Sequence, residues 1–334
     1  MLNKIKGALY GMAIGDAMGM PSELWNKNKV KNYFKNGIST FLDGPLENEV
    51  AKNYTKGQFT DDTAQALVIL DSLIENNFQP SSKIIGDNLL KWALNNKAFE
   101  NNILGPTSKQ ALNLIKNNKD NKFITKKALS NGASMRIAPI GVLFSPNEEM
   151  QLVKFVYEIS KITHSSDIAI SGASIIAMAV CCSLNNFKFI ETLKKLYLVD
   201  KIALKIGSET FSPSLSKRIE LAIKIADQYK YNDNEFINEL YDVIGAGVST
   251  IESVPSAIAI AYYSQNVKKA ALLSANMGGD TDTIGAMACA ICGAIEGYDK
   301  LDKNWVKIID ENNNINLNKY ANLIYEYLLD KGKK

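Results

Sequence analysis

The sequence predicts an all-α fold, and three observations carry that expectation. Apolar residues recur at helical spacing across 63–74, 84–94, 168–184, 216–229, 254–263 and 283–295, the pattern that gives a helix one buried stripe. Alternation of β-branched and polar residues over the length of a strand is nearly absent. Connectors are short and rich in Asn, Gly, Ser and Pro, as at Asn76-Asn77, Asn95-Asn96, Asn117-Asn118, Asn185-Asn186 and 311–314. With 334 residues, 46% of them hydrophobic, the chain can bury a large core. No fixed-period repeat or low-complexity linker divides it. A single domain of ten or more helices over 1–334 is therefore expected, with the Lys-rich tail 330–334 frayed.

The N-terminal run carries Asp16 among apolar residues and lacks a cleavage pattern, so it does not read as a secretory signal. No stretch reaches 18 apolar residues without a charge, and no membrane span is expected. Cys181, Cys182, Cys289 and Cys292 all sit in apolar, helix-like stretches. A zinc site at Cys289-x-x-Cys292 would need two more soft ligands, and the other cysteines are one adjacent pair. The four read instead as small buried hydrophobes of a reduced, cytoplasmic protein. A net charge of +3 from 38 basic and 35 acidic side chains gives no strong nucleic-acid signal. The single histidine, His164, excludes a His-rich zinc or iron site.

In chain order, the first acidic element is Gly15-Asp16-Ala17-Met18-Gly19-Met20-Pro21-Ser22-Glu23. Glu23 follows a Pro-Ser break, which places it in a loop as a candidate general base or metal-proximal carboxylate. The polar, interrupted stretch 26–59 reads as loops covering a cleft. Two similar clusters then stand far apart: Thr60-Asp61-Asp62-Thr63 before the apolar run 64–73, and Gly278-Gly279-Asp280-Thr281-Asp282-Thr283 before the run 284–295. Helix capping explains one Thr-Asp pair, but not four carboxylates that would repel one another if brought together. Hard divalent cations remove that repulsion, and an all-oxygen donor set selects Mg2+ or Mn2+ over zinc. Two clusters suggest two ions. Because residues two apart on a helix do not share a face, Asp280 and Asp282 are expected in the Gly278-Gly279 loop.

Further along, Ser130-Asn131-Gly132-Ala133-Ser134-Met135-Arg136 offers small residues of the kind that let a backbone approach phosphate. Arg136 is one of two arginines, and the sequence leaves open a fixed ligand partner or a buried structural ion pair. Thr163 or Ser165 would cap the helix beginning at 168, with His164 beside them as a capping or core residue or a ligand contact. Gly245-x-Gly247, before Glu252-Ser253-Val254-Pro255, is a weak signal alone.

Taken in this order, the segments 7–23, 57–63, 130–141, 163–167, 252–258 and 276–286 resemble the ADP-ribosylglycohydrolase family, which includes the dinitrogenase-reductase-activating glycohydrolases. The resemblance implies that family's fold, an all-α, single-domain orthogonal helical bundle. It implies two Mg2+ or Mn2+ ions ligated by Thr60, Asp61, Asp62, Asp280, Asp282 and Thr283, with Glu23, Asp61, Asp62 and Asp282 serving catalysis. It also implies ADP-ribose contacts from Glu23, Asn131, Gly132, Ser134, Met135, His164 and Gly279. The loop departs from the family's common Gly-Asn-Gly by reading Ser130-Asn131-Gly132, with no aromatic upstream to stack on adenine. Segment 252–258 looks closer to members acting on serine-linked ADP-ribose than to the arginine-specific animal enzymes.

The expected function is a binuclear metal-dependent hydrolase that cleaves the N- or O-glycosidic bond between C1″ of ADP-ribose and a modified target, reversing ADP-ribosylation. An ADP-ribosylated protein or small molecule would be the substrate, and the enzyme a monomer. Three other readings stand beside it: a non-catalytic ADP-ribose-binding relative, a dinuclear hydrolase of another phosphorylated nucleoside, and an immunity protein against an ADP-ribosylating toxin. The acceptor linkage stays open among arginine, serine, nucleic-acid base and O-acetyl-ADP-ribose.

Overall fold

The computed structural model describes residues 1–101 and 103–332. Among them the chain forms helices and no sheet. They are α1 (Leu2–Gly19), α2 (Lys27–Tyr33), α3 (Asp61–Glu75), α4 (Ser82–Asn95), α5 (Pro106–Lys116), α6 (Lys122–Thr125), α7 (Glu149–Ser160) and α8 (Asp167–Leu184). There follow α9 (Phe189–Ala203), α10 (Leu215–Gln228), α11 (Asp233–Glu239), α12 (Thr250–Ser264), α13 (Val267–Met277), α14 (Thr281–Glu296), α15 (Lys303–Asn313) and α16 (Leu317–Gly332). The all-α expectation holds, and the six stretches read from periodicity coincide with α3, α4, α8, α10, α12 and α14 to within a few residues at each end.

Some local expectations change. The stretch 26–59 is not all loop, because Asn26 caps α2 by accepting a hydrogen bond from the Lys29 N–H (2.9 Å). Ser166, rather than Thr163 or Ser165, caps α8, accepting from the Ala169 N–H at 3.2 Å. Of the tail expected to fray, 330–332 continue α16, while Lys333 and Lys334 lie outside the described residues. Helix α8 is long and apolar enough to cross a membrane by length and composition, and every one of its residues is buried by neighbouring helices. All four cysteines are free and buried among apolar side chains.

The fold is organised on the antiparallel pair α1 and α14. Helix α1 presents Gly7, Gly11, Gly15 and Gly19 at four-residue spacing. A Cβ on these positions would lie 2.2 Å from the Gly293 carbonyl oxygen, 2.2 Å from that of Cys289, 2.0 Å from that of Gly285 and 2.3 Å from that of Thr281. The two backbones therefore touch along four turns, closer than any larger side chain permits. As α1 ascends α14 descends, so the C-terminal end of α1 meets the N-terminal end of α14. This register brings Glu23 to Asp280 and Asp282.

A second packing device explains Arg218. Pro255 lies inside α12 and has no N–H to offer the Ile251 carbonyl four residues back. The Arg218 Nε of α10 donates to that carbonyl instead, at 2.7 Å, and its Nη2 donates to the Ile244 carbonyl. The guanidinium thus repairs the helix break and ties α12 to the turn that precedes it.

Candidate functional site

Two helix N-termini face each other in this fold. Thr60 caps α3, so Asp61 and Asp62 stand in its first turn. Asp280 takes the capping position of α14, and Asp282 lies inside the helix's first turn rather than in the glycine loop. Gly278 and Gly279 make the turn between α13 and α14 with φ of 83° and 87°, a region that favours glycine. Gly279 also exchanges backbone hydrogen bonds with the residues after Glu23: the Leu24 N–H donates to its carbonyl and its own N–H donates to Trp25, both at 2.7 Å. That bridge fixes Glu23, half-buried, over the end of α14.

The result is a cluster of carboxylates. Oxygens of Glu23, Asp280 and Asp282 lie within 4.8 Å of one another. The Thr60 hydroxyl donates to Asp282 Oδ2 at 3.3 Å, joining the two sequence clusters directly. Asp62, Asp280 and Asp282 are almost wholly buried. Burial first, then the neighbouring negative charges, push Asp61 up to about 7; burial alone dominates for Asp280, which rises to about 6. Glu23, Asp62 and Asp282 are pushed well above the usual carboxylate range for the same two reasons, burial first. Asp62 Oδ2 and Asp282 Oδ1 are buried acceptors with no hydrogen-bond partner. Buried acceptors left unpaired are costly, and an oxygen-only cage with uncompensated negative charge fits hard divalent cations. The residues present therefore fit such ions.

The cluster floors a cavity of about 470 Å3. Of the residues singled out in the sequence, Glu23, Asp61, Asp62, Asp280, Asp282, Thr283, Asn131, Gly132 and Met135 line it. Ile103, Leu104 and Val248 add apolar wall, and Pro106 and Lys109 bring in the start of α5. Asn131 is anchored through its amide nitrogen: Nδ2 donates to Asp280 Oδ2 (2.5 Å) and to the Ser253 hydroxyl (3.0 Å). Thr60 faces a neighbouring cavity across Asp61. Ser134, His164 and Gly279 do not line the cavity over the cluster. Ser134 is buried against Gly172, with its hydroxyl unpartnered. His164 is fully buried behind Gly132, its Nε2 3.0 Å from the Ser130 hydroxyl and its Nδ1 2.9 Å from that of Thr163. Burial, then the Arg136 charge, hold the imidazole down at about 3, so it is neutral.

Several residues that position the cluster were not chosen from the sequence. Asp16, fully buried in α1, accepts from the Thr60 N–H (2.8 Å), the Thr63 N–H (2.9 Å) and the Thr63 hydroxyl (2.6 Å), and so pins the first turn of α3. Its signal was a carboxylate inside an apolar run. Gln65, one turn beyond Asp61, donates through Nε2 to Asp61 Oδ2 at 2.6 Å and accepts from Arg136 Nη1. Arg136 also donates to the Thr163 hydroxyl (2.6 Å). The open question about Arg136 is thus answered: it is 1% exposed, forms no direct ion pair among the described residues, and hydrogen-bonds to Gln65, which in turn holds Asp61.

Comparison with known proteins shows the family and the fold. A family model described as ADP-ribosylglycohydrolase matches residues 1–332. The chain is 42% identical over 325 residues to the uncharacterized protein YegU of Escherichia coli (strain K12), covering 97% of each chain. It is 26% identical over 348 residues to ADP-ribosylhydrolase ARH3 of Homo sapiens, covering 91% of this chain and 88% of that one. A solved structure of an ADP-ribosylglycohydrolase-related protein complex superposes with a TM-score of 0.71 at 21% identity, covering 98% of both chains, which establishes the shared fold.

Proposed function

The chain belongs to the ADP-ribosylglycohydrolase family and is a hydrolase of ADP-ribosyl bonds, and from that premise we propose that two divalent cations, Mg2+ or Mn2+, serve its cleavage of the bond between C1″ of ADP-ribose and a modified target. One observation carries the reading. The buried carboxylates that floor the cavity include two oxygens, Asp62 Oδ2 and Asp282 Oδ1, with nothing to accept from.

Thr60, Asp61, Asp62, Asp280, Asp282 and Thr283 would hold the ions. Bound there, divalent cations supply the positive charge that acidifies a water and steadies the ribose hydroxyls. The chain's own residues do the rest. Glu23, beside Asp280 and Asp282 in the floor of the cavity, would take the proton of the water that attacks C1″. Asn131 keeps Asp280 oriented, and the backbone of Asn131 and Gly132 gives the diphosphate a close approach free of bulky side chains. Met135, Leu104 and Val248 exclude bulk water from the ribose. The C1″ bond to the acceptor breaks through an oxocarbenium-like transition state, water oxygen bonds to C1″, and one proton passes to the acceptor.

The test is a panel of ADP-ribosyl substrates of defined linkage, serine, arginine, base and O-acetyl, each incubated with Mg2+, Mn2+ or chelator. Release of free ADP-ribose that depends on the cation is expected. Full rate in chelator overturns the metal mechanism; release of phosphate in place of ADP-ribose overturns the bond assignment.

A further inference from the structure

Beyond Asp61 lies a second cavity of about 520 Å3, which shares Val50, Asp61 and Ile103 with the first as a common wall. Its lining differs sharply in chemistry. Asn53, Asn101 and Asn314 supply carboxamides, Gln58, Asn96 and Asn312 add others that already bond to the wall's own backbone, Phe59 and Trp92 supply aromatic surface, and among the described residues Asp61 is the one charged group in the wall. Among the described residues no Lys or Arg lines it, so it lacks the cation that a diphosphate favours. A guanidinium would need carboxylate partners, and Asp61 is already engaged by Gln65. Carboxamides that offer both donor and acceptor suit a neutral, extended polar chain, because each pairs with backbone N–H and C=O groups whatever the side chains.

We propose that this second cavity is the acceptor subsite, and that it takes the peptide backbone flanking the ADP-ribosylated residue. The inference rests on the hydrolase reading above, since it is the scissile bond at the shared wall that would put ADP-ribose in one cavity and the acceptor in the other. Tyr54 lines the acceptor side. The loop that carries it is held firm: Asn312 Nδ2 donates to the Lys56 carbonyl (2.6 Å), and Asn313 Nδ2 donates to that of Gly57 (2.8 Å). The wall is thereby tied to α15, not left as a mobile flap.

The experiment compares an ADP-ribosylated peptide with the same ADP-ribosylated residue carrying only acetyl and methylamide caps, each in serine- and arginine-linked form. The ratio of kcat/KM for peptide over capped residue is measured in the wild type and in Asn53→Leu/Asn101→Leu. The wild-type ratio is expected well above one, and the double substitution should lower it about tenfold, the loss of one or two net hydrogen bonds. A single-residue ratio near one, or a ratio unmoved by the double substitution, overturns the subsite while leaving the hydrolase intact. Hydrolysis of neither substrate overturns the peptide subsite, while release of ADP-ribose from base-linked or O-acetyl substrates in the wider panel tests the hydrolase separately. A general loss of stability would depress both constants and leave the ratio where it was, so it is told apart from loss of peptide binding.

Discussion

At the scale of single residues, the site divides into groups that face the cavity and groups that hold those in place. Asp282 belongs to the first: one oxygen accepts from Thr60 and the other accepts from nothing. Asp282→Asn removes a charge and an oxygen ligand, and should lower cation-stimulated hydrolysis on the order of a hundredfold or more, as loss of a group that stabilises transition-state charge does. Titration calorimetry with Mn2+ on the same variant should find weakened or fewer sites. Arg136 belongs to the second group: its hydrogen bonds reach Asp61 through Gln65, and its charge acts on Asp61 and Asp62 directly. Arg136→Met leaves Gln65 Oε1 without its partner and takes away the buried positive charge behind Asp61 and Asp62. Supporting residues of this kind alter metal affinity by about 10–100-fold. A Kd for Mn2+ unchanged in Arg136→Met would reduce the arginine to a packing role.

Elements decide where these residues can be. The close contact of α1 and α14 is set by glycines, so its weakness is steric and local. Gly15→Ala would drive a Cβ to 2.0 Å from the Gly285 carbonyl oxygen, against backbone that cannot turn aside. A loss of about 3 kcal/mol in urea unfolding is expected, the upper end of the overpacking range. Hydrolysis per folded molecule should fall as well, because moving α1 carries Glu23 and Asp16 off their partners. A stable Gly15→Ala protein with full activity would mean that the helices do not touch as described. The glycine stripe was present in the sequence at four-residue spacing, but α1 was not among the helices read from periodicity. It is buried on nearly every side from Gly7 onwards, and a helix with no exposed face has no stripe to find.

At the scale of the whole molecule, the site stores unfavourable charge that the fold must carry. Asp16 and Asp280 are raised to about 6 and Asp61 to about 7, above the ordinary value of 3.8 that they take in the unfolded chain. Between those values the folded protein binds more protons than the unfolded one, so stability is greatest below the unfolded pKa and falls as pH rises towards about 7. Chelated protein should accordingly melt at a lower temperature near about pH 7.5 than near about pH 5. Saturating Mg2+ or Mn2+ should raise the melting temperature most at the higher pH, where protons no longer compete for the carboxylates. The buried neutral His164 acts in the opposite sense, withdrawing stability as pH falls below its unfolded value of 6.5 towards its folded value of about 3. Melting curves in chelator that are flat or rise between these pH values would contradict the crowding of charge described here.

The sequence alone determined the helical class, six of the helix spans and the oxygen chemistry of the two acidic clusters. Periodicity and capping act within a few residues, so Thr60 before α3 and Asp280 before α14 were legible as helix starts that also carry side-chain oxygens. Tertiary structure decided what those oxygens meet. Asp16 reaches Thr60 across 44 residues, Arg136 reaches Gln65 across 71, and Asn131 reaches Asp280 across 149. Such contacts depend on which helices pack together and in what register, and no local pattern encodes that. The same holds for the removal of His164 and Ser134 from the cavity wall, and for the carboxamide-lined cavity beyond Asp61. Its walls come from loops after α2 and α4 and from the end of α15, brought together only when α15 closes against the chain ahead of α3.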